Sequence, residues 1–215
     1  MKSQKRQEYK HEPKSKEYLI ALTNSINYCE LVNTEDKSYK KLLKWIIDYG
    51  KHPEKDSDIS LPDLKVISKV AEVPYSSIAK QLKDIYNDIY DLSDTNPDRF
   101  AKENQKVYAL AFNYLGCYGF FNMGLAETPR EGERFNFSFI KPKVGSDHFW
   151  VKTVEHDIHN GKHMVTIWVN HEHPNAYLNL LKEKAYLNNQ IDWHEYYGHL
   201  NYDAEKRLVN LYRNL

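Results

Sequence analysis

Histidine is the residue type with the widest chemical scope in this chain, occurring 10 times in 215 residues and mostly in the second half. Neutral imidazoles bind borderline metal ions and move protons near neutral pH, so their spacing decides what they can do. In EHDIHNGKH (155–163), Asn160-Gly161 sits between two apolar runs and predicts a two-residue hairpin turn with positive φ at both central positions. That turn sets Ile158 opposite His163 and His156 opposite Val165, so His156 and His163 share a face and His159 points away. In NHEHPN (170–175), His171 and His173 share one side of an extended segment. Zinc sites usually take three or four protein ligands. These four histidines are therefore candidates for a metal-dependent enzyme only if a further ligand arrives from elsewhere. They read first as surface or hydrogen-bonded side chains, and no cofactor is expected. In WHEYYGH (193–199), His194 and His199 are five apart, about 140° around a helix, which fails the H-E-x-x-H geometry. Cys117 in YLGCYGFF has no neighbouring histidine and reads as a packed small residue. With no G-x-S-x-G elbow, phosphate-binding glycine loop or dinucleotide fingerprint, no catalytic residue is expected.

The elements that would position such residues follow from composition and periodicity. A 41% hydrophobic content over 215 residues is enough to bury a core. Lysine plus arginine equal aspartate plus glutamate at 30 each, so no net charge draws the chain toward a polyanion, and any such binding must come from local patches. Two cysteines make no disulfide framework and point to a reducing compartment. The N-terminal MKSQKRQEYKHEPKSK lacks an apolar core of the leader type, and no apolar run approaches the roughly 20 residues that cross a bilayer. A cytoplasmic location without membrane contact is expected.

Residues 1–16 carry six basic side chains against two acids and predict a flexible basic tail. From 17 to 95 the apolar spacing is helical. KEYLIALTNSINYCELV aligns Tyr18, Leu22, Ile26 and Cys29 in one helix, and SYKKLLKWIIDYG predicts a helix over 38–49 with Gly50 as its C-cap. Another helix is expected over 61–72, and Tyr75, Ile78, Leu82, Ile85, Ile89 and Leu92 make a five-turn amphipathic helix. Ser93 to Arg99 read as a helix stop, with a linker over 96–105. From 106 to 173, KVYALAFNY, CYGFFNMGL, ERFNFSFI, HFWVKTVEHDI and HMVTIWVNH read as five short antiparallel strands of a small barrel-like domain. Helices over 174–189 and 203–214 complete the C-terminal segment, 174–215. The fold class expected is α+β, a helical module followed by the sheet domain and C-terminal helices.

VISKVAEVPYSSIAKQL (66–82) carries a specific pattern: a small residue, a turn of about three residues and apolar positions that lock a second helix. Within the helical segment 61–92, residues Leu64 to Leu82 resemble the helix-turn-helix of bacterial DNA-binding proteins. Ser68 matches the small position, Val73 the apolar turn position, and Ile78 and Leu82 the pins of the second helix. Glu72 replaces the usual glycine and Pro74 the usual capping serine, so the chain departs from the pattern at the turn. The resemblance implies that Tyr75, Ser76, Ser77, Lys80 and Lys83 face the major groove of duplex DNA. Phosphate contacts are expected from the tail and from Lys37 to Lys55, which holds six lysines and two acids. It also implies a transcriptional regulator or a mobile-element accessory factor, working as a homodimer where half-sites are paired. The aromatic-rich second half resembles no family and is compatible instead with a non-catalytic adaptor that binds protein, or with stacking of unpaired bases.

Overall fold

The computed structural model describes residues 10–34, 36–52, 61–172, 175–197 and 202–212. The run from Lys16 to Val32 forms two helices, α1 (Ser15–Thr23) and α2 (Ile26–Leu31), where the spacing predicts one. Asn24 ends α1, and Ser25 (φ −131°, ψ 50°) leaves helical geometry, so the chain turns between them. Of the basic tail expected at 1–16, residues 1–9 lie outside the described residues, and α1 begins at Ser15. Helix α3 (Lys40–Gly50) buries Leu42, Leu43, Ile46 and Ile47. Gly50 is its last helical residue and not a left-handed cap. A Cβ there would lie 2.4 Å from Ile26 Cδ1, so the glycine lets α2 and α3 approach. Helix α4 (Leu64–Val70) is shorter than expected, and α5 (Tyr75–Thr95) runs through Ser93, the predicted stop.

Five strands lie where alternation places them: β1 (Lys106–Tyr114), β2 (Cys117–Leu125), β3 (Arg134–Asn136), β4 (His148–His159) and β5 (Lys162–Asn170). They form one curled half-barrel sheet in the order β2-β1-β5-β4-β3. The all-antiparallel expectation fails at one ladder, because β1 and β5 pair in parallel from Ala109↔Thr166 to Asn113↔Asn170. Strand β3 is short: after Asn136 the chain turns into a 3-10 turn (Ser138–Ile140) and helix α6 (Lys141–Val144). That departure sends Phe139 and Ile140 into the core instead of along a strand. Asn160 (φ 49°) and Gly161 (φ 76°) make the expected tight β4–β5 hairpin.

One face of the sheet carries Leu110, Phe112, Phe121, Phe149, Val151, Ile167 and Val169, all buried in the same cluster as Leu19, Leu22, Ile46, Ile78, Leu82 and Ile89 of the helices. Phe139 joins the two layers, stacking on Tyr86 of α5 (centroids 4.6 Å apart) and lying 5.1 Å from Phe121 of β2. Within 96–105, Pro97–Phe100 forms a 3-10 turn with Phe100 buried in that cluster. Met1–Glu172 and His173–Leu215 are separate compact units. In the second, α7 (Ala176–Leu187), α8 (Trp193–Tyr197) and α9 (Tyr202–Tyr212) gather Leu181, Ala185, Ile191, Leu208 and Tyr212. No helix among the described residues is long and apolar enough to cross a membrane.

Candidate nucleic-acid interface

Helices α4 and α5 meet at a bend built from a few side chains. Asp63 (φ −61°, ψ 145°) precedes α4 in extended geometry, and Ile67 is the residue of that helix that enters the core. After Ala71 the chain reverses through Glu72, whose φ of 53° is the left-handed conformation that a side chain makes costly. The Val73 N–H donates to the Ser68 carbonyl at 3.0 Å, and the Ser68 hydroxyl donates to the Val73 carbonyl at 2.7 Å. Two bonds thus close the turn from both sides, and Val73, 6% exposed, plugs its inside. Pro74 (φ −56°, ψ 130°) leads directly into α5. The inner stripe Ile78, Leu82, Ile85, Tyr86 and Ile89 fixes that helix to the core.

The first position of α5 and the side away from that stripe face solvent. Tyr75 is 53% exposed, and Ser76, Lys80 and Lys83 are exposed with it, one and two turns apart. Ser77 differs from the other expected site residues. It is half-buried, and its hydroxyl donates to the Pro74 carbonyl at 2.8 Å, so it serves the helix start. Three exposed residues escaped the sequence reading: Ala79, one turn before Lys83 on the outer stripe, and Lys65 and Lys69 on α4. The signal for the lysines was present, since residues four apart share a helix face and both flank the inward Ile67. Of the nearby acids, Glu72 is paired with Lys41 of α3 at 3.0 Å. Further along α5, Asp88 accepts from Lys37 Nζ at 2.7 Å and from the Tyr39 hydroxyl. Burial, and then that bond to the Asp88 carboxylate, push the Tyr39 hydroxyl pKa above its ordinary value. Part of the predicted cationic stretch, 53–60, lies outside the described residues.

The histidines divide. His156 Nδ1 lies 3.0 Å from His163 Nε2, with the rings stacked at 5.2 Å, on the face predicted by the hairpin register. His171 follows the other end of β5, eight residues from His163 or roughly 26 Å along a strand. Its ring packs edge-on to Tyr114 at 5.0 Å, and its Nδ1 is buried without a hydrogen-bond partner. His173 and His199 lie outside the described residues, of which no three His, Cys, Asp or Glu gather in a metal-holding group. Among the described candidates, His156 and His163 therefore meet and His171 stands apart from them.

The sheet's other face is open and aromatic. Register places Tyr118, Asn113, Asn170 and Trp150 in one row and Phe120, Ala111, Trp168 and Thr153 in the next. Tyr118 and Phe120 are 58% and 56% exposed, and Trp150 and Trp168 are half-buried. Charges on it are tied locally: Trp168 Nε1 donates to Glu155 at 2.8 Å, Thr153 donates to Glu131 at 2.8 Å, and Arg134 lies over the Trp150 ring. No family model, curated protein or solved structure matches the chain.

Proposed function

We propose that the protein binds duplex DNA through a helix-turn-helix formed by α4 and α5, inserting the start of α5 into the major groove as a regulator or mobile-element accessory factor. The observation that carries this is the exposed outer stripe Ser76, Ala79, Lys80 and Lys83, with Tyr75 exposed at the helix's first position, on a helix whose inner stripe is locked in the core. The left-handed Glu72 and the Ser68–Val73 bonds fit the sharp bend such a motif needs, even without its usual glycine. Exposed Lys65 and Lys69 add positive charge on α4 that phosphates would meet. One reading helix per chain calls for a homodimer at a paired half-site. Fluorescence anisotropy with a labelled random-sequence duplex tests the proposal. Micromolar protein at low salt should bind it and release it as salt is added. No anisotropy change at low salt would refute it.

A second function, protein-binding adaptor, is favoured by the open sheet face. Tyr118, Phe120 and the two half-buried tryptophans offer aromatic surface beside the carboxylates of Glu131 and Glu155, held by neutral donors, which suits a protein surface better than a polyanion. Under this alternative, Phe120→Ser would abolish partner capture and leave duplex binding unchanged. Competition by poly(dT) for this face would instead indicate stacking of unpaired bases.

A further inference from the structure

The ladder between β1 and β5 begins at Thr166, so the outer ends of β4 and β5 run on as a two-stranded ribbon without β1 beside them. On that ribbon His156 and His163 are diagonal neighbours on one face, both exposed, with Ile158 directly opposite His163 and 73% exposed. The facing nitrogens, His156 Nδ1 and His163 Nε2, are 3.0 Å apart. Zinc–imidazole bonds of about 2.0–2.1 Å, opened between a right angle and the tetrahedral angle, place two nitrogens about 2.9–3.3 Å apart. The pair already has that bite. Its spacing is imposed by the Asn160-Gly161 turn, whose two positive φ values set the register that brings the rings together.

We propose that His156 and His163 form a two-point chelate for an imidazole-preferring divalent ion, Zn²⁺ or Cu²⁺, with water completing the coordination. Without an ion the two rings share a hydrogen bond, one nitrogen donating and the other accepting. With an ion both nitrogens donate lone pairs to it, the ring that had donated the hydrogen bond carries its proton on its other nitrogen instead, both rings are neutral, and one proton leaves the pair for solvent if it was charged. The bound ion cross-links β4 to β5 at the end that lacks a third strand and so stiffens the ribbon. This site is independent of the DNA-binding proposal, since none of its residues belongs to α4 or α5.

Purified full-length protein, stripped with a chelator, is titrated with Zn²⁺ and separately with Cu²⁺ by calorimetry, alongside His156→Ala, His163→Ala and His159→Ala. All three side chains are exposed, so the variants should keep the parent's far-ultraviolet spectrum. One ion per chain is expected, weakened about tenfold or more by either of the first two changes, because each turns a chelate into a single contact. His159→Ala, on the opposite face, should bind as the parent does. Added Zn²⁺ should also shift the ring resonances of His156 and His163 together in proton NMR spectra. No uptake by the parent, or unchanged affinity in the double variant H156A/H163A, overturns the proposal.

Discussion

At the scale of single residues, the proposed interface rests on side chains that the core does not use. Lys80 is exposed on the outer stripe of α5, so Lys80→Ala should leave stability unchanged and weaken duplex binding by about 1 kcal/mol in anisotropy titrations. Ser77 should behave in the opposite way. Its hydroxyl is already bonded to the Pro74 carbonyl, so Ser77→Ala should lower stability slightly and spare affinity. Glu72 holds φ at 53° at the bend, and its ion pair with Lys41 is exposed and therefore weak. Glu72→Gly should raise stability by about 0.5–1 kcal/mol, seen as a higher unfolding midpoint, as left-handed strain is relieved in excess of glycine's entropy cost. A drop in midpoint would show that the ion pair outweighs the strain. Burial pushes the Tyr28 hydroxyl pKa up to about 12. A group that ionises later in the folded chain than in the unfolded one stabilises the fold below its ordinary value of 10.0 and loses that contribution as pH climbs toward 12. Alkaline titration of stability should therefore fall over that window, and less steeply in Tyr28→Phe.

At the scale of elements, what was legible in the sequence depended on whether a local period or a distant partner decided the outcome. The stripe from Tyr75 to Leu92 has one buried side, and the helix runs as its period requires. The Asn160-Gly161 turn fixed which histidines would meet, because register in a two-residue hairpin is set by the turn alone. The parallel β1–β5 ladder had no local signal, since pairing between strands distant in sequence is chosen by packing on the helices. Phe137 to Ile140 alternate as a strand does, yet the buried positions of Phe139 and Ile140 are filled by a 3-10 turn instead. Gly50 looked like a cap in sequence because a glycine after an apolar helix is a common ending, and only the approach of Ile26 reveals its purpose. Gly50→Ala should accordingly destabilise the protein by about 1–2 kcal/mol through overpacking, where alanine in an open helix would stabilise it. Chemical denaturation gives the sign directly.

At the scale of the whole molecule, α1 to α5 and the sheet bury their apolar faces in one cluster, so the helical part is not an independent reading head. Phe139 lies against Tyr86 and Phe121 at once, and Phe139→Ala should cost about 3–5 kcal/mol. Helical circular dichroism and sheet amide exchange should report that loss together. Sheet protection that survives the loss of α5 would show two separately stable parts. Under the proposed function, the scaffold beneath α5 would let four exposed lysines, Lys65, Lys69, Lys80 and Lys83, present a fixed pattern to a phosphate backbone despite a formal net charge of +0. The decisive measurement is the salt dependence of duplex affinity for the parent and for the double variant K80A/K83A. The parent should show a steep linear fall of log affinity with log salt, and the variant a weaker affinity with a slope shallower by about 2. Equal slopes and equal affinities in the two proteins, or no duplex binding by either, would contradict the assignment of α5 to DNA.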